Sequence, residues 1–361
     1  MPAEAHLDAL DDARIAGSRE LVPPATVRRE YPVPLAVARL VLDARRAIHS
    51  ILHGVDDRLI VIAGPCSIHD RTAALEYAGK LAVLAQAHHD DLLVLMRVYF
   101  EKPRTTIGWK GLVNDPRLDQ SFEINEGLRL ARDILLEINA LGLPAATEYL
   151  DMITPQYVSD LVSWGAIGAR TTESQIHRQL ASGLSCPVGF KNGTDGDVKI
   201  AIDAVKAAAV PHHFLGATKR GHSAILETTG NDDCHVILRG GKRPNYDAAS
   251  VDAVCRSLVD SGLRPQVMID CSHANSGKDA QRQIEVAHDI AQQVARGETR
   301  IIGAMLESHL FGGRQDLVAG QPLRYGVSVT DACLAWDDTV PLIDVLSRAT
   351  RDRRSGASAR R

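Results

Sequence analysis

From Leu59 onward the chain alternates between short aliphatic runs and longer stretches whose apolar positions recur every three or four residues. The first kind predicts buried strands and the second predicts helices. Strands are expected over 59–64, 92–98, 144–148, 168–170, 188–191, 235–239, 266–270 and 300–305. Helices are expected between most of them, over 71–88, 124–141, 155–164, 195–209 and 279–296. Eight such units predict a (β/α)8 TIM barrel, with a doubly wound open sheet as the alternative. The interval 212–229 breaks the rhythm with two short strand-like runs around Thr218-Lys219-Arg220-Gly221, which predicts a β-hairpin inserted between the fifth and sixth strands.

Residues 1–55 follow another pattern. Leu21-Val22-Pro23-Pro24 and Tyr31-Pro32-Val33-Pro34 predict extended, turn-rich chain, because proline disfavours helix at the residue before it. Residues 36–52 then have helical spacing, with Val37, Leu40, Val41, Ala44 and Ile48 on one face. That stripe suits either the chain's own barrel or a second subunit. The catalytic barrel is expected over 56–350, and the Arg/Ser/Gly/Ala-rich 351–361 is expected to be a disordered basic tail.

Composition narrows the partners. The net charge of −4 gives no bulk attraction to nucleic acid or a membrane surface, so any basic site is local. No apolar run reaches the ~18 residues of a membrane span, and the opening MPAEAHLDALDD lacks the apolar core of a signal peptide. Six cysteines without CxxC pairing predict reduced thiols and a cytoplasmic location.

The candidate chemistry starts at Arg97–Gly111. Arg97, Lys102, Arg104 and Lys110 crowd a loop broken by Pro103 and loosened by Gly108 and Gly111. Arg offers a planar fork to phosphate or carboxylate, Lys a point charge, and Thr105 and Thr106 add hydroxyls. A solvated basic loop is the alternative. The other predicted strands also end in polar residues: Cys66 follows the first, the third ends at Glu148, the fourth at Arg170, the fifth at Lys191 and the sixth at Arg239. The seventh delivers Asp270 and His273, and the eighth Glu307. In a parallel barrel these ends share the rim where active sites form.

Arg97, Lys102, Arg104, Arg170, Lys191 and Arg239 would make a cationic pocket whose mutual repulsion calls for more than one phosphate or carboxylate. Cys66, His273, Glu307 and Asp331 combine a thiol, an imidazole and two carboxylates, which suits Mn, Fe, Co or Zn better than Mg or Ca. Singly, each has a structural alternative: a buried small hydrophobe for Cys66, a hydrogen-bonding His273, a helix-capping Asp331.

These residues carry a family resemblance. Gly64-Pro65-Cys66-Ser67-Ile68-His69-Asp70, the KPRTT loop with Gly-Trp-Lys-Gly, Gly168-Ala169-Arg170-Thr171-Thr172-Glu173-Ser174 and Gly189-Phe190-Lys191-Asn192-Gly193-Thr194 are four of its motifs. Ile237-Leu238-Arg239-Gly240-Gly241, Asp270-Cys271-Ser272-His273-Ala274-Asn275 and Ser328-Val329-Thr330-Asp331-Ala332-Cys333 complete the set. Over about Asp56 to Asp338 the chain resembles the type I 3-deoxy-D-arabino-heptulosonate 7-phosphate (DAHP) synthases. Cys271 departs from the family, whose members often carry Phe there.

The resemblance implies a divalent metal on Cys66, His273, Glu307 and Asp331, and condensation of phosphoenolpyruvate with erythrose 4-phosphate. It assigns phosphoenolpyruvate to Arg97, Lys102, Arg170, Lys191 and Arg239, and the aldose phosphate to Arg104, Thr105 and Asp331. Lys102 is implied as a proton donor and Glu148 as a carboxylate for the cationic centre or the water. A homo-oligomer is implied, dimer or tetramer, with an aromatic effector at the hairpin near Phe214 and Gly216. Gly216, where phenylalanine-sensitive forms tend to carry Ser, favours tyrosine by leaving room for a phenolic oxygen. Two alternatives stay open: a 3-deoxy-octulosonate 8-phosphate synthase, whose loop usually reads KANRTS, and a non-catalytic barrel that binds phosphorylated ligands.

Overall fold

The computed structural model describes residues 10–103, 108–318 and 320–359. Ahead of the barrel come α1 (Pro24–Glu30) and α2 (Leu35–Leu52). The wall begins with β1 (Leu59–Gly64), α3 (Arg71–Ala87), β2 (Leu92–Arg97), α4 (Ile124–Ala140) and β3 (Ala145–Glu148). It continues through the four-residue α5 (Pro155–Val158), β4 (Trp164–Ile167), α6 (Gln175–Gly183), β5 (Val188–Lys191) and α7 (Lys199–Ala208). The inserted β6 (His213–Ala217) and β7 (Ser223–Glu227) precede β8 (Cys234–Leu238), α8 (Ala248–Asp260), β9 (Val267–Asp270) and α9 (Gln283–Ala295). The chain ends in β10 (Ile301–His309), the two-residue β11 (Leu334–Ala335) and α10 (Trp336–Ala359).

The strands pair in parallel in the order β1-β2-β3-β4-β5-β8-β9-β10, and β10 returns to β1, so the sheet closes into a (β/α)8 barrel rather than an open doubly wound sheet. Alternation along the strands makes the two cores. Ile60, Ile62, Leu95, Ala146, Trp164, Ile237, Met268 and Met305 fill the interior, while Val61, Ala63, Val94 and Val236 belong to the larger core that includes the helices. The α2 stripe packs on the chain itself: Ile48, Ile51 and Leu52 join the interior cluster from below and plug the barrel. Each such side chain contributes about 1.5–3 kcal/mol by leaving water. Aspartates start two of the wall helices. Asp70 accepts from Thr72 N–H (2.8 Å) and Ala73 N–H (3.2 Å), and Asp247 caps α8 in the same way.

One helix is unforeseen and three expectations change. Residues 24–30 form α1 between the two proline-rich segments, which are non-helical as expected apart from Pro24, the residue at the first-turn position that tolerates proline. The fourth strand is Trp164–Ile167 rather than 168–170, so Arg170 lies in the loop beyond it. The helix expected over 155–164 is accordingly cut to α5 and one 3-10 turn, since Ser163 N–H bonds Ala145 O and turns the chain into the sheet. The tail expected to be disordered is helical to Ala359. Arg351 and Arg354 reach Asp91 at 2.6 and 2.7 Å, Arg354 also pairs with Asp57, and Arg353 bonds the Asp57 carbonyl.

The hairpin is antiparallel, Gly216 opposite Ala224, and its turn meets the N-terminal extension where Ala25 N–H donates to Lys219 O at 2.7 Å. Among the described residues, no helix is long and apolar enough to cross a membrane.

Candidate active site

The loops leaving the strands surround a cavity of about 480 Å³ at the C-terminal rim. Its lining includes Lys102, Glu148, Arg170, Lys191, Arg239, His273, Glu307 and Asp331, each anticipated from a strand end or motif. Arg97 stands apart: it is buried, stacks over Tyr99 (3.5 Å to the ring centroid) and is not in the lining. Its Nε donates to Pro65 O (3.1 Å) and one terminal NH2 to Cys66 O (3.2 Å) and Glu307 Oε1 (3.0 Å). Rather than forming the pocket wall, Arg97 holds the wall from beneath. Arg104 and Thr105 lie outside the described residues.

On one side of the cavity lies an electron-pair donor set, of which Cys66 is buried behind the lining. Cys66 Sγ, a Glu307 oxygen and an Asp331 oxygen all lie within 4.8 Å of one another, and His273 Nε2 is 4.0 Å from Glu307 Oε1. Lys102 Nζ sits among them, 2.9 Å from Cys66 Sγ and 2.7 Å from Asp331 Oδ2, so positive charge already occupies the point where these donors converge. Burial alone would raise the Asp331 carboxyl, but the Lys102 ammonium holds it well below the usual carboxylate range. Burial pushes the Cys66 thiol up, and the neighbouring Glu307 adds to that.

His273 is held in a fixed orientation beside this set. Its φ of 58° is a rare conformation for a residue with a side chain, retained where surrounding bonds enforce it. Lys278 N–H donates to its carbonyl (2.7 Å), and its Nδ1 meets Ser272 Oγ (2.7 Å) and Asp270 Oδ2 (3.0 Å), which turns Nε2 toward Glu307. A carboxylate behind the imidazole of a metal-binding histidine is the usual second partner. Asp270 also accepts from Lys191 Nζ (2.8 Å) and Ser272 Oγ (2.6 Å); burial would raise its carboxyl, and Lys191 with His273 instead holds it well below the usual range.

The opposite side is cationic. Arg239 is buried, its Nε–H has no hydrogen-bond partner among the described residues, and burial together with the nearby Arg170 charge lowers its pKa. A buried guanidinium with an unspent donor is suited to an anion. Two motif loops are tied at the rim: Ser67 Oγ meets Thr330 Oγ1 at 2.7 Å, and Cys66 N–H faces Cys333 Sγ at 3.3 Å. The basic loop is closed at its base by Lys102 N–H to Lys110 O (2.8 Å), with Gly111 at φ 129°, where a β-carbon would lie 2.1 Å from Phe100 O.

Lys278, Arg314, Ser272 and Gln283 also line or brace the pocket and are not legible from strand ends. Arg314 follows Phe311-Gly312-Gly313, a glycine pair beyond the eighth strand that could have signalled a ligand loop. Gln283 clamps the Glu307 backbone from both sides, accepting from its N–H at 2.9 Å and donating to its carbonyl at 3.1 Å. Glu101 beside the loop is pushed up to about 8 by burial and by the nearby Asp151 and Glu148 carboxylates.

A closed parallel barrel with adjacent anion-binding and metal-type donor sets at one rim defines an enzyme of phosphorylated small molecules. The family model described as the DAHP synthetase I family matches residues 34–343. The chain is 60% identical over 344 residues to the Phe-sensitive phospho-2-dehydro-3-deoxyheptonate aldolase of Escherichia coli (strain K12), covering 95% of this chain and 98% of that one. It is 53% identical over 347 residues to the Trp-sensitive form of Escherichia coli O157:H7, covering 96% and 100%. The solved phospho-2-dehydro-3-deoxyheptonate aldolase of Francisella tularensis SCHU S4 superposes with a TM-score of 0.92 at 51% identity, covering 94% of this chain and 99% of that one. The chain belongs to the DAHP synthetase I family. Its activity is that of a 3-deoxy-7-phosphoheptulonate synthase (EC 2.5.1.54), the first step of the shikimate pathway, and the octulosonate and non-catalytic alternatives fall away.

Proposed function

We propose that the rim cavity condenses phosphoenolpyruvate with erythrose 4-phosphate and water, releasing inorganic phosphate, with Mn, Fe, Co or Zn held by Cys66, His273, Glu307 and Asp331. The observation that carries this reading is the meeting of both chemistries at one cavity: the cation cluster and the nitrogen and oxygen donors line it, and the Cys66 sulfur lies buried beside them, within 4.8 Å of the Glu307 and Asp331 oxygens. The donor set fits the ion, with Lys102 marking the place of positive charge. When bound, the ion supplies Lewis-acid polarisation of the aldehyde oxygen.

The chain's own groups do the rest. Arg170, Lys191 and Arg239 bind the carboxylate and phosphate of phosphoenolpyruvate, and Arg97 orients Glu307 from below. Arg104, Thr105 and Asp331 take the aldose phosphate. C3 of the enol attacks the aldehyde carbon, a C–C bond forms, and Lys102 delivers a proton to the new hydroxyl. Water then adds at C2, where Glu148 steadies the positive charge or orients the water, and the C–O bond to phosphate breaks. Phosphate release measured with erythrose 4-phosphate against arabinose 5-phosphate, before and after chelation, tests the reading. Turnover of the five-carbon aldose in preference, or undiminished rate after complete metal removal, would overturn it.

The enzyme acts in the cytoplasm, consistent with six buried cysteines that carry no disulfide. It works as a homo-oligomer, dimer or tetramer; exposed Leu215 and Ile225, paired across the hairpin, offer a face to a second copy. An aromatic amino acid binds at the hairpin and extension, tyrosine favoured over phenylalanine, as a coupling between two sites. The Phe- and Trp-sensitive relatives support feedback of this kind. The space at Gly216 is not open as expected: a β-carbon there would lie 2.5 Å from Leu226 Cδ1, so Gly216 would act on effector choice through the position of Leu226. Initial rates titrated with tyrosine, phenylalanine and tryptophan decide it, and stronger inhibition by either of the last two ends the tyrosine reading.

A further inference from the structure

A second group of side chains with metal-ligand chemistry lies at the other end of the barrel. His49 is in the last turn of α2, His53 caps that helix, and Asp233 stands at the entry to β8. Asp233 oxygens lie 2.8 and 3.0 Å from His49 Nδ1, and one of them is 3.2 Å from His53 Nε2. One donor atom from each of the three falls within 4.8 Å of the others. The imidazoles stack with centroids 4.0 Å apart at 29°, so both turn a nitrogen to the same carboxylate.

We infer that His49, His53 and Asp233 form a second cation site, for a borderline divalent transition ion of the Zn2+ type. Two imidazoles and a carboxylate are ligands such ions prefer, whereas Mg2+ and Ca2+ call for oxygen throughout. A tetrahedral ion with bonds of about 2.0–2.1 Å spaces its ligands about 3.3 Å apart. The observed 2.8 and 3.2 Å separations reach that by opening a few tenths of an ångström. His49, His53 and Asp233 side chains are 48%, 28% and 18% exposed, so an ion enters from solvent and water completes its shell.

Both halves of the site are held by structure that has no other need of the ion. Ile48, Ile51 and Leu52 fix the helix end in the barrel interior. Asp233 N–H donates to Asn231 Oδ1 (3.2 Å), and Asn231 Nδ2 is in turn bonded to the carbonyls of Ala181, Leu184 and Cys186. Ligands fixed by such a supporting shell bind with little reorganisation. The bound ion would clip the segment ahead of the barrel to its wall at β8, far from the rim chemistry.

The test is metal content of the untagged full chain after equilibrium dialysis against Zn2+. His53→Ala and Asp233→Asn should each hold one ion fewer per chain than wild type, or bind it at least ~10–100-fold more weakly, the cost that even an outer partner carries. Their phosphate-release rates should equal that of wild type, and Zn2+ should raise the wild-type melting temperature more than theirs. The count is a difference between chains, so it stands whether or not the rim holds a metal. Equal Zn2+ content and equal thermal shifts in wild type and His53→Ala would overturn the site.

Discussion

The Glu148 carboxylate lies against Gly168, so close that a β-carbon at position 168 would be 2.2 Å from Glu148 Oε1. Glu148 ends β3 and Gly168 follows the last residue of its neighbour β4, and the missing side chain at Gly168 is what lets Glu148 lie there. Gly168→Ala should therefore displace the carboxylate, which is the free end of a flexible side chain, and leave the fold intact. The expected outcome is a fall in kcat of about 10²–10⁴-fold, the usual worth of a positioned acid or base, with a melting temperature near that of wild type. An unchanged kcat would remove Glu148 from the chemistry.

The donor set predicts metal dependence through particular atoms. Cys66→Ser keeps the backbone N–H to Cys333 and carbonyl to Arg97 while replacing a thiol with a hydroxyl, a poor ligand for borderline ions. The variant should lose bound metal and activity together, measured by metal analysis beside phosphate release. Retention of both would mean that Cys66 is not a ligand.

Substrate discrimination follows from the cation positions. Arg170→Ala should raise the KM for phosphoenolpyruvate, and Arg104→Ala that for erythrose 4-phosphate. Each loses a charge-assisted contact of about 1.5–3 kcal/mol, roughly 10- to 150-fold. Paired KM measurements check the split; equal effects on both substrates would contradict it.

Most of this site was legible because a parallel barrel sends every strand end to one rim, so ionisable residues after aliphatic runs converge even when the strand bounds are off. Arg170 illustrates the point: its strand was placed four residues late, yet it still lines the pocket. Arg97 shows the limit, since a strand's last residue can turn under the rim as easily as into it. The helix through Ala359 was hidden for another reason. Its Arg351, Arg353 and Arg354 are held by Asp57 and Asp91, partners some 260–300 residues away that local composition does not reveal. The His49–His53–Asp233 cluster was equally invisible, because only the closed barrel brings the end of α2 to the start of β8.

The barrel floor gives a pH dependence with a definite sign. His235 is buried, accepts a hydrogen bond from Trp164 Nε1–H (3.2 Å) at Nε2, and donates from Nδ1 to Asp233 O (3.1 Å), so it is neutral with both nitrogens engaged. Burial pushes its pKa down to about 4. An unfolded histidine titrates near 6.5, so between these values the unfolded chain binds the extra proton and the folded one does not. Stability is therefore complete above about pH 6.5 and is lost as pH falls toward 4, by an amount on the order of 3 kcal/mol for this residue. His309, also pushed down to about 4 by burial, adds a loss of the same sign. Urea midpoints measured from pH 7.5 to 5 should fall steadily in wild type and more gently in His235→Gln, whose side chain does not titrate. Parallel slopes for the two proteins would show that His235 is not the group being protonated.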